Sequence, residues 1–303
     1  MQENLADDFY HEPVLPVESV DYLLANRETT EAKIYVDCTL GGGGYTKKIL
    51  ELTAPDIKVA AFDRDIHAIE HCKKVLSDYS DRIIYCQNNF AEIKQVLTEK
   101  GIGNGTPMIS GIVMDLGLSS YQLNSEEGFS YQKDTELDMR ADKNQELKAK
   151  DVLNEYDDRE LLKIFKEYGE LKYSRQITRD IIEYRQKKRF ETTFELVELL
   201  KEKIPPRYLN KDLAKVFQGL RIEVNGELEN LKKILESAPE FLEKGARIVA
   251  ISYHSLEDRI VKNSLRANSG LKVLTKKPVL AGDKEISLNT RARSAKLRAA
   301  EKK

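Results

Sequence analysis

Four consecutive glycines, Gly41 to Gly44, fall where the chain changes its hydrophobic period. Lys33 to Asp37, before them, is short, β-branched and ends on a carboxylate, the pattern of a buried strand; Tyr45 to Leu52, after them, recurs at helical spacing. The glycines therefore mark the handover from a parallel strand to a helix. Backbone N–H groups there approach a ligand without a Cβ in the way, and the helix start favours negative or electron-rich groups. A dinucleotide fingerprint needs Gly-x-Gly-x-x-Gly. Counted from Gly41 and Gly43, or from Gly42 and Gly44, the last position falls on Thr46 or Lys47. The pattern present is Asp-x-Thr-x-Gly-x-Gly, running from Asp37 to Gly43.

That loop is closer to the acidic-residue and glycine loop of the S-adenosylmethionine (SAM) methyltransferases, a generic nucleotide-binding turn being the other reading. Further βα units follow it. Lys58 to Asp63 is a second apolar run ending on an acid, about 20 residues past the glycines, where doubly wound folds place the carboxylate that meets the ribose hydroxyls. Ile83 to Gln87 is a third, followed by Phe90, an aromatic that either faces an adenine ring or is ordinary core. A fourth, Met108 to Leu116, contains Asp115. Strands ending in Asp37, Asp63 and Asp115 point to one crevice outside the strands' carboxyl ends. The stretch from Asp115 to Arg140 has no clear period and is long for a loop inside a compact domain, which argues for a functional role.

From about Asp142 to Lys211 strand signals vanish and helical patterns follow one another over 158–168, 174–189 and 193–204; Thr192 and Glu195 form a capping box, and Pro205-Pro206 stops the last helix. The strand signal returns at Arg247 to Tyr253, followed by His254. The chain thus divides into residues 1–141, the first part of an α/β domain; 142–212, a helical insert assigned to substrate handling; and 213–303, the second part with a basic C-terminal tail. An earlier stripe, Val17, Val20, Leu23 and Leu24, predicts a helix covering the sheet edge.

At 303 residues and 41% hydrophobic composition the chain can bury a sizeable core. It has no apolar run long enough to span a membrane, and its polar, acidic start is unlike a signal peptide, so the expected location is cytoplasmic. Cys38, Cys72 and Cys86 form neither a C-x-x-C nor an even framework, so reduced thiols are expected. His67 and His71 lie at i, i+4 with no third ligand in view and are read as surface residues; no metal is expected. The net charge of −2 is polarised: from Leu271 onward ten Lys or Arg oppose three Asp or Glu, leaving −9 on residues 1–270. A second basic cluster comprises Lys172, Arg175, Arg179, Arg185, Lys187, Lys188 and Arg189. Two basic patches on an acidic chain fit a polyanion such as nucleic acid, or else a solvated helix face and a mobile tail.

Several separated stretches together resemble one family. They are His11 to Leu15, the glycine turn, Asp115 to Ser120 with Gln122, Gly128 to Ser130, Leu137 to Arg140, Phe217 to Asn225, Ser252 to Arg259 and Arg291 to Lys296. In that order they look like the signature blocks of the bacterial RsmH (MraW) ribosomal RNA methyltransferases. The resemblance implies a Rossmann-like SAM-dependent methyltransferase domain with an inserted all-helical subdomain. It also implies methylation of N4 of a cytidine in the decoding (P-site) region of 16S rRNA; the expected partner is that RNA within the small ribosomal subunit, naked RNA being the alternative, and monomer and homodimer both stay open. DNA is not expected, since DNA cytosine-N4 enzymes carry a Pro-Pro-Tyr type motif where this chain has Leu116-Gly117-Leu118. Carried over by motif, SAM is held by Gly43, Gly44, Tyr45, Asp63, Phe90, Asp115 and Gln122. Asp115 either accepts the N–H bonds of the attacking amine or orients the donor's ammonium. His254, Asp258, Arg259, Arg291, Arg293 and Lys296 are candidates for substrate binding, His254 having a purely structural alternative. The chain departs from residues common in the family at Tyr45 (His), Tyr121 (Pro), Gly219 (Ala), Tyr253 (Phe) and Thr290 (Pro).

Overall fold

The computed structural model describes residues 13–25, 33–102, 109–117 and 127–303. The chain divides into two compact units, residues 1–119 with 228–303, and residues 120–227.

The first unit is an open sheet. Among the described residues its strands are β1 (Ile34–Asp37), β2 (Lys58–Asp63), β3 (Ile83–Gln87), β4 (Ile109–Asp115), β5 (Leu242–Ser252), β6 (Leu271–Val273) and β7 (Lys296–Lys302), in the spatial order β3-β2-β1-β4-β5-β7-β6. The first five are parallel, and β7 runs antiparallel between β5 and β6. Strand order reverses between β1 and β4, so the crevice for a ligand opens at their carboxyl ends. Alternate residues of the same strands serve opposite faces. Val36, Phe62, Ile112, Met114 and Ile248 pack with Ile93, Leu97, Ile234, Leu235 and Val261 on one side. Tyr35, Val59, Val113 and Val249 pack with Leu23, Ile49, Ile69 and Cys72 on the other. Burial on both faces explains why these strands read as continuous apolar runs.

Two expectations need correction. The helix α1 (Pro16–Leu24) packs against β4 and β5 rather than covering an edge; Gly111 permits this, since a Cβ there would stand 2.7 Å from Leu23. The basic C-terminal tail is β7, not a tail: Leu297, Ala299 and Ala300 are buried, and the Arg298 guanidinium forks onto Asp258 at 2.6 and 3.2 Å. A strand paired on both sides leaves those basic residues little freedom. Cys38, Cys72 and Cys86 are free and buried.

The second unit is helical and wider than residues 142–212. Its helices are α5 (Ala149–Glu155), α6 (Asp158–Lys163), α7 (Ser174–Arg185), α8 (Thr193–Lys203) and α9 (Pro206–Asn225). Pro206 does not merely stop α8; it opens α9, in whose first turn a missing N–H costs nothing. Helix α9 buries Leu213, Val216, Phe217 and Leu220, and packs against the π-turn Ile164–Tyr168, which places it with this unit. The segment before residue 142 also belongs here: Leu137 N–H donates to Glu191 O, and Thr193 N–H to Thr135 O, both at 2.9 Å. The capping box of Thr192 with Glu195 is formed.

Candidate active site

The glycine turn is pinned to both neighbouring strands. Leu40 N–H donates to Phe62 O at 2.8 Å, Cys38 N–H to Val113 O at 2.9 Å, and Asp115 N–H to the Thr39 hydroxyl oxygen at 2.7 Å. The threonine of the Asp-x-Thr pattern thus ties the end of β1 to the end of β4. Two glycines answer to protein packing as much as to any ligand. Gly43 has φ +80° and a Cβ there would lie 2.9 Å from Leu76; a Cβ on Gly44 would lie 2.6 Å from Pro13. Helix α2 (Gly44–Leu52) makes its first turn bond from Lys47 N–H to Gly43 O, so the N–H groups of Gly44, Tyr45 and Thr46 have no intrahelical acceptor, while Gly43 N–H donates to Leu40 O at 2.7 Å. The Tyr45 ring is buried and its hydroxyl donates to Val14 O. What Tyr45 offers a ligand is its backbone.

Three carboxylates end β1, β2 and β4, with distinct environments. Asp37 is fully buried, accepting from Thr39 N–H at 3.1 Å and from the Thr46 hydroxyl at 2.8 Å. Burial pushes its pKa up to about 6 against these bonds. Asp63 accepts from Gly41 N–H at 2.9 Å and Asp65 N–H at 3.0 Å. Burial raises its pKa, those two amides opposing. Each of its oxygens retains a lone pair for a hydroxyl donor. Asp115 differs: its Oδ1 is closed off from solvent and has no hydrogen-bond partner. Burial raises its pKa, while the Tyr253 hydroxyl, Arg291 and the Gly117 amide favour the ionised form.

Sheet order lines these groups up. Phe90, half-buried in the turn Phe90–Glu92 after β3, then Asp63, the glycine turn and Asp115 follow the sequence β3-β2-β1-β4. At about 4.8 Å per strand the row spans about 14 Å, suited to a nucleoside carrying a short amino-acid chain. The donor set fits SAM: a carboxylate for hydroxyls, an apolar ring for a base, and N–H groups with a carboxylate for the charged end. Gln122 lies outside the described residues.

The substrate candidates separate. His254 is the N-cap of helix α11 (Ser255–Ala267), counting the helix Glu227–Phe241 as α10. His254 N–H donates to Glu257 Oε2 at 3.3 Å, and Tyr253 N–H donates to the same oxygen at 2.9 Å. Asp258 is engaged by Arg298, with Lys296 Nζ at 4.0 Å. Both residues therefore have structural work in fixing α11 and β7. The Arg291 guanidinium lies 5.8 Å from the centroid of the Tyr253 ring, beside Asp115, whereas Arg259 and Arg293 are exposed. Thr39, Thr46 and Tyr253 escaped the sequence reading as site residues; the Asp-x-Thr spacing is the signal that could have found the first. In the helical unit Asp138 and Arg140 pair with each other at 2.8 and 3.0 Å. Asn225 grips this turn, accepting from Ala141 N–H and donating to Met139 O, and thereby holds Met139 at φ +60°. Of the basic cluster, Arg185 donates to Leu153 O and Tyr156 O, Lys188 pairs with Glu195 and Arg189 with Glu155. Lys172, Arg175, Arg179 and Lys187 are exposed, with the exposed Tyr173 among them.

No helix among the described residues is long and apolar enough to cross a membrane. The model of the MraW methylase family matches residues 8–303. A protein of Trichormus variabilis named ribosomal RNA small subunit methyltransferase H is 44% identical over 299 residues, covering 97% of this chain and 92% of that protein. One of the same name from Desulfotalea psychrophila is 45% identical over 296 residues, covering 96% and 98%. With a family match over nearly its whole length and relatives at this identity, the chain belongs to the MraW methylase family of SAM-dependent methyltransferases.

Proposed function

We propose that this chain transfers the methyl group of SAM to N4 of one cytidine in the decoding region of 16S rRNA, by direct in-line displacement. The observation that carries the reaction is the buried, unpartnered Oδ1 of Asp115 at the β1/β4 switch point, beside the glycine turn. The relatives' name supports the substrate.

SAM, when bound, supplies a methyl group already activated on a positively charged sulfur. The N–H groups at the start of α2, in the turn of Gly43, Gly44 and Tyr45, would hold the donor together with Asp63 and Phe90. A cytosine amine is a weak nucleophile because its lone pair is delocalised into the ring. The chain's task is therefore to place N4 in line and to accept its N–H as the nitrogen rehybridises. Asp115 Oδ1 would take that hydrogen bond, and then the proton the nitrogen sheds as the N–C bond forms and the methyl–sulfur bond breaks with its electron pair left on sulfur. Asp115→Asn retains SAM affinity by calorimetry and loses at least about a hundredfold in turnover, as for removal of a donor or acceptor acting in the transition state; loss of SAM affinity alone would make Asp115 a donor-binding residue only.

The target must be presented unpaired, because a base inside a duplex hides its amine. The exposed face carrying Lys172, Tyr173, Arg175 and Arg179 offers cations for phosphates and a ring for stacking, which gives the helical unit its part in substrate binding. The test is incubation of protein and SAM with small subunits from a strain lacking the modification, then nuclease digestion and mass spectrometry. One added methyl on the exocyclic nitrogen of one cytidine is expected. SAM binding without transfer to subunits or naked RNA would overturn the reading.

A further inference from the structure

Besides Ser19 Oγ, the Tyr85 hydroxyl and His254 Nε2, the buried polar atoms without a hydrogen-bond partner among the described residues of the sheet unit are Asp115 Oδ1 and the Tyr253 hydroxyl, and these two face each other. Register brings them together. Asp115 of β4 pairs with Ile251 of β5, and Tyr253 follows two residues later. The ring is fixed from two sides. Gly117 abuts it so closely that a Cβ there would stand 2.6 Å from Tyr253 Cε2, and the Arg291 guanidinium lies 5.8 Å from its centroid. A buried polar atom left unpaired costs about 1–3 kcal/mol and asks for an explanation. A carboxylate only accepts, whereas a phenol donates once and accepts as well. The two groups are therefore complementary, one able to donate what the other can accept.

We propose that Tyr253 is a positioning residue for Asp115: its hydroxyl donates to the carboxylate when Asp115 is ionised, holding it aimed at the methyl acceptor, with Arg291 fixing the ring. This rests on the methyl-transfer reading and adds the group that keeps the accepting carboxylate charged. The titratable and charged groups facing Asp115 are Asp37 at the end of β1, Tyr45 in α2, Tyr253 and Glu257 after β5, and Arg291 before β7. Burial, with Asp37 and Glu257, favours protonated Asp115; Tyr253, Arg291 and the Gly117 amide favour the carboxylate. Removing the hydroxyl therefore moves the Asp115 titration to higher pH. Tyr253→Phe removes a single oxygen and keeps the ring packed against Gly117, so folding is preserved.

Two measurements test this. In protein carrying ¹³C-labelled aspartate carboxyls, the Asp115 signal, assigned by its loss in Asp115→Asn, titrates at higher pH in Tyr253→Phe than in the unaltered chain. In methyl transfer to undermethylated small subunits, the acidic limb of kcat moves the same way by about half to one pH unit, a three- to tenfold loss on the limb, while KM for the subunit stays within twofold. Arg291→Gln shifts both in the same direction. Superimposable titrations and superimposable pH profiles would overturn the proposal. If the unaltered chain methylates no RNA, the functional reading fails, and the titration alone still decides whether Tyr253 holds Asp115.

Discussion

Replacing Asp37 by Asn tests whether the strand-end carboxylates are a cost to the fold. Asp37 is fully buried and its pKa is pushed from the ordinary 3.8 to about 6, by burial first, with Asp63 and Asp115 adding to it. A carboxyl that holds its proton more tightly when folded stabilises the fold below its unfolded pKa, and that contribution is lost as pH rises through the folded value. The window is therefore about pH 4 to 6, and the loss across it is about 3 kcal/mol at 1.36 kcal/mol per pH unit. Asn cannot ionise and is close to isosteric. Its Oδ1 accepts from Thr39 N–H as before, and its amide faces Thr46, whose hydroxyl turns to accept. The hydrogen-bond rearrangement costs about 1 kcal/mol. Asp37→Asn should thus be about 2 kcal/mol more stable than the unaltered chain at pH 8, and about 1 kcal/mol less stable at pH 4. Urea denaturation at pH 4, 5, 6 and 8 reads both. Asp63 and Asp115 titrate in both proteins and largely cancel in the difference. A stability difference that does not change with pH would refute the assignment of a buried, raised carboxyl to Asp37.

Gly44→Ala drives a Cβ into the Pro13 ring; melting and calorimetry should show about 1–3 kcal/mol of lost stability and at least about tenfold weaker SAM binding. Asp258→Asn leaves the Arg298 guanidinium, with a side chain only 7% exposed, without its carboxylate. The urea midpoint should fall by an amount equivalent to about 2–4 kcal/mol, and a change below about 0.5 kcal/mol would show the pair to be dispensable. Changing Lys172, Arg175 and Arg179 together to Gln should weaken RNA binding and make the slope of log affinity against log salt shallower by about 2 for single-stranded RNA, with SAM affinity intact; an unchanged slope would remove this face from the RNA-binding surface.

What the sequence discloses about this protein follows the range of the interactions involved. The glycine turn, Asp63 and Asp115 were legible because each lies at the end of an apolar run, and a strand's end is a local signal. The helical run after residue 142 was legible for the same reason. Its true extent was not, because Leu137 and Thr135 are tied to it by bonds to Glu191 and Thr193 more than 50 residues on. The basic C-terminus misled for a related reason. Charge composition says nothing of pairing, and Lys296 to Lys302 alternates weakly enough to pass for a tail, yet β5 and β6 bond it on both sides. Asp258 looked like chemistry and is half of an ion pair spanning 40 residues. Tyr253 shows the converse. In sequence it is an aromatic beside a histidine; only the β4–β5 register sets its hydroxyl against Asp115 and leaves both without partners. Motif residues that satisfy one another, as Asp138 and Arg140 do, serve to fix the backbone. Asp115 and Tyr253 do not satisfy one another in this way, and the proposed reaction gives Asp115 Oδ1 an amine to accept from.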